Sequence, residues 1–207
     1  SGEVTAKKWD VVDTELPSLD AIREGDIIKV KATVTEWNGM KQLRVTRLRK
    51  AVDQDGVEIS EFIKSAPEKG EDMLAYVQAA VDRMKDGELS ALCNRILADN
   101  REKLLYYPAA AKNHHAELSG LLYHMKRMLA MAESFCKVYT ILNRDLVVTG
   151  VIIHDIEKIN EIDANELGVA SGYSFEGQML GHLVQGVRTI DRLAGELGMG
   201  REKAVKI

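Results

Sequence analysis

The spacing of apolar residues changes once along this chain, and the change limits the folds open to it. Up to about residue 50 apolar and polar residues alternate, as around Ile28 and Val30, and Asn38-Gly39 supplies the two-residue turn that hairpins favour. Farther on, apolar residues recur every three or four positions, as in helices. We therefore predict an α+β protein with a small sheet domain at 1–52, an acidic linker at 53–70 and an all-helical domain at 71–207.

Breaks in the two patterns predict the bounds of individual elements. A short strand is expected from Val4 to Trp9, before the hairpin, and a loop with one helical turn from Leu16 to Gly25. A loop rich in Asn, Asp and Gly is expected before the last helix. The helical segments are predicted at about 71–84, 89–97, a short stretch before Pro108, 113–138, 144–156 and 176–197.

The outward face of the predicted hairpin is basic. Its cations and an aromatic residue are Lys29, Lys31, Trp37, Lys41, Arg44, Arg47, Arg49 and Lys50. Basic side chains are common on solvated sheet faces and edges, and the residues alone favour that ordinary interpretation. The alternative is a surface for a phosphate backbone, with Trp9 or Trp37 as a stacking platform for bases.

Overall composition excludes some classes of protein. The formal net charge is −4, so the total gives no sign of a strongly cationic nucleic-acid binder. The sequence has no apolar run of membrane-spanning length and no signal peptide. Cys93 and Cys136 lie in helical apolar patterns and are expected to be reduced thiols in a cytoplasmic protein.

All five histidines lie in the predicted helical domain, and one is followed directly by a carboxylate. His124 lies beside the apolar stripe of a long helix, and His154-Asp155 ends the next helix. If these helices pair antiparallel, two imidazole nitrogens and a carboxylate oxygen surround one point. Buried polar groups without a partner cost about 2–7 kcal/mol each. We therefore expect a divalent cation there, and these ligands suit Mn, Fe, Ni or Zn.

The strings around these residues resemble the HD phosphohydrolase superfamily, in particular Gly120–His124 and Ile153–Lys158. Longer strings resemble the YhaM-type 3′–5′ exoribonucleases, which join an OB-fold to an HD domain. These are Ala109–His124, Leu142–Leu146 and Gly181-His182 in the helical half, with Gly2–Asp10 and Gly25–Lys31 in the sheet half. The resemblance implies a partial OB-fold sheet followed by an all-α HD domain.

The same resemblance implies roles for individual residues. His124, His154 and Asp155 match metal ligands, and His182 matches a histidine that serves a second metal in some HD enzymes. Lys158 matches a lysine that contacts a substrate phosphate, so Lys158 and Asp155 are the expected catalytic residues. His115 is expected near the substrate, or equally as a hydrogen-bonding residue at a helix start.

The activity implied is that of a 3′–5′ exoribonuclease that releases nucleoside monophosphates from single-stranded RNA, with single-stranded DNA as an alternative substrate. The metal implied is Mn²⁺, with Fe²⁺, Ni²⁺ and Zn²⁺ as alternatives. Lys29, Lys31, Trp37, Lys41 and Arg44 are then the expected contacts to nucleic acid. Two other functions stay open: an HD-domain hydrolase of a nucleotide or cyclic dinucleotide, and a nucleic-acid-binding protein with an inactive HD domain.

The sequence departs from the family pattern in three places. Glu157 stands where the family usually has Gly, and we expect a solvated carboxylate at a helix end. The family's His-His pair and final Asp ligand would lie beyond Ile207, and two early OB strands are missing. We therefore expect this chain alone to be inactive with a weak metal site. A second copy may be expected to cover the open sheet edge, unless the sheet half is mobile.

Overall fold

The computed structural model describes residues 4–23, 26–57, 62–111 and 116–207. The chain divides into two compact units, Ser1–Phe62 and Ile63–Ile207. The first unit holds a small sheet and the second is mainly helical, so the predicted α+β class is confirmed.

The first unit is a three-stranded sheet with one short helix. Its elements are β1 (Thr5–Lys7), α1 (Leu16–Asp20), β2 (Ile28–Trp37) and β3 (Met40–Lys50), with strand order β1-β3-β2. β2 and β3 form an antiparallel hairpin, and β1 pairs parallel to β3. The turn residues Asn38 and Gly39 have φ angles of 51° and 74°. Because a two-residue hairpin turn of this kind needs positive φ at both positions, the Asn-Gly prediction is confirmed.

A bulge in β3 decides which side chains share a face of the sheet. The register pairs Lys31 with Arg47 but Ala32 with Val45, so Thr46 is an extra residue in β3. Arg44 lies opposite Thr33, two residues beyond Lys31 on the same side of β2. The bulge therefore puts Arg44 and Arg47 on one face, although they are three residues apart.

The basic face of the sheet is smaller than the sequence suggested. It consists of Lys7, Lys29, Lys31, Arg44, Arg47 and Arg49, which the register brings to one side. Lys41 lies opposite Glu36 on the other side, so the prediction that Lys41 shares this face is wrong. The reason is that residues 41–44 are unbulged strand, in which positions three apart point to opposite faces.

The second unit is built from helices and one small hairpin. Its helices are α2 (Gly70–Asp82), α3 (Gly87–Asp99), α4 (Arg101–Leu104), α5 (Gly120–Val138), α6 (Arg144–Ile153), α7 (Lys158–Glu161), α8 (Phe175–Glu196) and α9 (Arg201–Ala204). The strands β4 (Ile162–Ala164) and β5 (Ala170–Tyr173) pair antiparallel. The expectation that this half is entirely helical is therefore too simple, because the predicted loop before the last helix contains α7 and this hairpin.

The long helix α5 begins later than its pattern suggests. Residues 113–115 lie outside the described residues, but 116–119 are described and are not helical. Ser119 has a left-handed φ of 60°. The backbone N–H groups of Leu118 and Ser119 donate to the carbonyl oxygens of Lys64 and Tyr106. Since these groups are committed to neighbouring segments, the helix ladder starts only at Gly120.

The apolar core lies within the helical unit and joins α2, α3, α5 and α6. Leu92, Leu121, Leu122, Met125 and Ile152 are almost fully buried at its centre. Their spacing on each helix matches the stripes that predicted these elements. Within the described ranges, no helix combines the length and the apolar character needed to cross a membrane.

We predict that Leu122→Ala destabilises the helical unit by about 2–5 kcal/mol, because it removes buried methyl groups and leaves a cavity beside the first turn of α5. Met131→Ala, on an exposed position of the same helix, is the control and should change stability by less than about 0.5 kcal/mol. Urea unfolding followed by circular dichroism measures both. Equal effects would show that α5 is not packed as described.

Candidate metal centre

The candidate site lies where the start of α5 meets the end of α6. Leu121, Leu122 and Met125 bury one side of α5, and this rotation leaves the side chain of His124 at the margin of the core, 30% exposed. Ile152 and Ile153 bury the end of α6 in the same way. The polar pair that follows them is thereby held against His124.

Three ligand-type side chains converge at this point. The Nε2 atoms of His124 and His154 are 3.3 Å apart, and each lies 3.4 Å from Oδ2 of Asp155. The predicted convergence of the three side chains is therefore present, with ligand atoms all within 4.8 Å of one another. His124 comes from a different helix, 30 residues before His154 in the sequence.

The spacing of these atoms fits a transition-metal ion. A point equidistant from three atoms spaced in this way lies about 2 Å from each of them, which is the usual length of metal bonds to imidazole nitrogen and carboxylate oxygen. Two nitrogens and one oxygen suit Mn, Fe, Ni or Zn rather than Ca or Mg. The side chains of both histidines are about one-third exposed, so solvent and substrate can reach the open side.

The backbone orients His154 for this role. Its Nδ1 lies 2.8 Å from the carbonyl oxygen of Val151. Because a carbonyl only accepts, Nδ1 carries the proton of the neutral ring, and the lone pair on Nε2 faces His124 and Asp155. Hydrogen bonds of this kind fix the tautomer and the ring orientation of metal-binding histidines.

Asp155 is a buried charge with cationic neighbours. Its residue is 7% exposed. Burial raises the pKa of this carboxyl, but hydrogen bonds from His154 and Lys158 outweigh burial and hold the pKa well below its usual range. The contact with Asp155 in turn raises the pKa of His154 above 6.5, against the effect of burial. Asp155 is therefore ionised and available as a ligand throughout the physiological pH range.

Lys158 lies in the same site. Its Nζ donates to Oδ2 of Asp155 at 2.8 Å, from a position three residues later in the chain. The carboxylate oxygen that faces both histidines thus also accepts from this ammonium group. Lys158 is 20% exposed, so its charge is on the solvent side of Asp155 and within reach of an incoming anion.

His182 meets the other oxygen of Asp155. Its Nε2 lies 3.4 Å from Oδ1 of Asp155, so the carboxylate stands between two sets of imidazoles. Glu161 holds His182 from behind: Oε2 is 2.9 Å from Nδ1, and Oε1 accepts the backbone N–H of His182 at 3.1 Å. The sequence analysis missed Glu161. The signal was its place in the series Asp155, Lys158, Glu161, which lie three residues apart on one side of a helical turn.

Other predicted residues lie elsewhere or differ from expectation. His115 lies outside the described residues. Lys29, Lys31, Trp37 and Arg44 belong to the first unit, in which Trp37 is 66% exposed. The expectation of a solvated Glu157 is wrong: the residue is 7% exposed, and its Oε2 accepts from the side-chain amide of Asn160 at 2.6 Å. That hydrogen bond satisfies the carboxylate inside the turn before α7.

Comparisons with known proteins bear on the same residues. The HD domain family matches residues 121–207, a range that contains all four candidate ligands. A curated protein from Oceanobacillus iheyensis named 3'-5' exoribonuclease YhaM is 36% identical over 205 residues, which cover 99% of this chain and 63% of that protein. A protein of the same name from a Geobacillus species is 34% identical over 206 residues, with 99% and 61% covered. The chain thus spans about three fifths of the length of these relatives. No solved structure matches it significantly.

We predict that Mn²⁺ binding to the chain weakens as the pH falls. Metal binding needs the neutral form of His154, and the raised pKa of this residue means that protons compete already above pH 6.5. Below that pKa the association constant should fall about tenfold per pH unit for one displaced proton. Isothermal titration calorimetry between pH 8 and pH 5.5 measures this, and a constant affinity over the range would contradict the assignment of His154 as a ligand.

Proposed function

The chain is a homologue of the YhaM exoribonucleases and contains an HD domain, and on this premise we propose that it belongs to a metal-dependent 3′–5′ exoribonuclease acting on single-stranded RNA. The observation that carries the proposal is the convergence of His124, His154 and Asp155 within one metal–ligand radius. The matching relatives are named for this activity.

We propose Mn²⁺ as the cation, held by His124, His154 and Asp155. When bound, such an ion lowers the pKa of water and neutralises charge on a phosphate. Val151 holds the His154 ring so that Nε2 points into the site. Asp155 supplies the negative charge that the ligand set needs, and its two oxygens face different imidazoles.

The proposed role of Lys158 is to contact the scissile phosphate. Its ammonium group has a carboxylate partner 2.8 Å away in this structure. A phosphate that approaches the same side of the site offers a second anionic partner, and a cation there stabilises the charge that develops as the phosphodiester bond breaks. The flexible lysine stem allows this contact without movement of the helix.

The proposed RNA-binding surface is the basic face of the sheet unit. Lys7, Lys31, Arg44 and Arg47 line one side of the sheet, and the Nζ of Lys7 lies over the ring of Trp9 at 5.7 Å. Lys29 and Arg49 share this face, although both pair with Asp55. A basic groove with aromatic platforms binds single strands largely through phosphate contacts and stacking. This supports an OB-type role for the sheet, and it favours a polymer over a mononucleotide as substrate.

We predict that Asp155→Ala abolishes hydrolysis and leaves RNA binding largely intact, because metal ligation and the basic face belong to different units. The wild-type chain with 5′-labelled single-stranded RNA should release mononucleotides from the 3′ end only as Mn²⁺ rises to millimolar levels, since three protein ligands hold a metal weakly. Asp191→Ala, an exposed aspartate on α8, is the control.

Metal occupancy decides how a negative result is interpreted. If calorimetry shows that the wild-type site is filled with Mn²⁺ and no cleavage follows, the exonuclease proposal fails and the inactive binding protein is favoured. Release of phosphate or monophosphate from free or cyclic nucleotides, without action on RNA, would favour the nucleotide hydrolase instead. Cleavage that survives in Asp155→Ala would place the chemistry elsewhere.

We predict that the double variant Lys31→Ala, Arg44→Ala weakens RNA binding and lowers the slope of log Kd against log salt by about 1–2, because each lost phosphate contact releases fewer counterions. The control is Lys41→Ala, Lys50→Ala, which removes the same charge from the opposite face of the sheet. Fluorescence anisotropy with labelled single-stranded RNA measures both variants. Equal slopes in the two would argue against the basic face as the binding surface.

A further inference from the structure

Glu161 uses both carboxylate oxygens on a single residue. Oε2 lies 2.9 Å from Nδ1 of His182, and Oε1 accepts the backbone N–H of the same residue at 3.1 Å. The Glu161 side chain is only 13% exposed. Two contacts from one buried carboxylate fix both the backbone position of His182 and the rotation of its ring.

A break in α8 makes the second of these contacts available. Gly181 has φ 67° and ψ 160°, so the helix is interrupted immediately before His182. The N–H of His182 is then free of the helix ladder and points out of the break. Glu161 accepts it, as a capping residue does at the start of a helix. A residue other than Gly is strained in this conformation.

Glu161 itself is held by close packing between α7 and α8. Its backbone N–H donates to the carbonyl of Glu157, and its carbonyl accepts the N–H of Ser174. A Cβ atom on Gly177 would approach the carbonyl oxygen of Glu161 to 2.4 Å, so only glycine permits this contact. The carboxylate therefore stands on a rigid support rather than on a mobile surface loop.

The contact with Glu161 determines which nitrogen of His182 faces the metal centre as a base. An ionised carboxylate only accepts, so the proton of the neutral ring is on Nδ1. Nε2 then presents its lone pair toward Oδ1 of Asp155, 3.4 Å away. Free imidazole side chains favour the opposite tautomer, in which Nε2 carries the proton and cannot bind a cation.

We propose that Glu161 is a positioning residue that sets the tautomer and orientation of His182, with the Gly181 break as its backbone counterpart, so that His182 can join Asp155 in cation binding. This rests on the proposed metal-dependent function. It adds a residue that acts through His182 rather than on the substrate or the metal.

The test separates tautomer from metal affinity. Long-range ¹H–¹⁵N spectra of the metal-free, ¹⁵N-histidine-labelled chain, recorded at a pH where His182 is neutral and assigned with His182→Gln, report which ring nitrogen is protonated. We expect Nδ1–H at His182 in the wild type and a shift toward Nε2–H in Glu161→Ala. Mn²⁺ affinity by calorimetry should fall about 10–100-fold in that variant, the usual effect of losing such a supporting contact.

Three further variants make the result specific. Glu161→Gln keeps the shape and one acceptor oxygen, so its Mn²⁺ affinity should lie between those of the wild type and Glu161→Ala. Gly181→Ala keeps the carboxylate but strains the break, and should shift the tautomer in the same direction. Glu133→Ala removes a carboxylate that pairs with Arg83 and Arg144 near the far end of α5, and should change neither readout.

The outcomes are distinct. Nε2–H at His182 in the wild type, or an unchanged tautomer and affinity in folded Glu161→Ala or Glu161→Gln, would overturn the positioning role. An Nδ1–H tautomer that depends on Glu161 supports it even if the wild-type chain binds no Mn²⁺. That last result would instead contradict the proposed metal-dependent function.

Discussion

The buried carboxylate of Asp155 is the group around which the polar part of the helical unit is arranged. An ionised side chain that is 7% exposed is costly unless cations or hydrogen-bond donors surround it. His124, His154 and Lys158 approach one of its oxygens and His182 approaches the other. Because these residues come from α5, the α6–α7 turn and α8, one charge fixes where three segments meet.

The periodic parts of the fold were predictable from sequence, because burial of one face repeats along a helix or strand. The hairpin turn at Asn38-Gly39 and the stripes of α2, α3 and α6 are of this kind. The late start of α5 was not, because it depends on hydrogen bonds from Leu118 and Ser119 to distant segments. The bulge at Thr46 was missed for a similar reason, since strand alternation gives no sign of an extra residue.

The candidate site was predictable only in its unusual residues. His154-Asp155 follows an apolar helix, and an adjacent imidazole and carboxylate are conspicuous there. Glu161 was not conspicuous, because one glutamate among many charged residues has no distinguishing pattern. Its importance depends on the break at Gly181 and the close approach at Gly177, and both require coordinates. Likewise, burial of Glu157 depends on a local hydrogen bond to Asn160.

The extra residue at Thr46 has a consequence for how relatives of this chain can be compared. Deletion of this uncharged residue would leave the formal net charge at −4. It would also restore simple alternation in β3 and turn Arg47 and Arg49 away from Arg44. Two proteins with the same isoelectric point would then present different electrostatic fields to a polyanion. Strand length, rather than charge composition, is the trait by which evolution could redistribute the cations of this sheet.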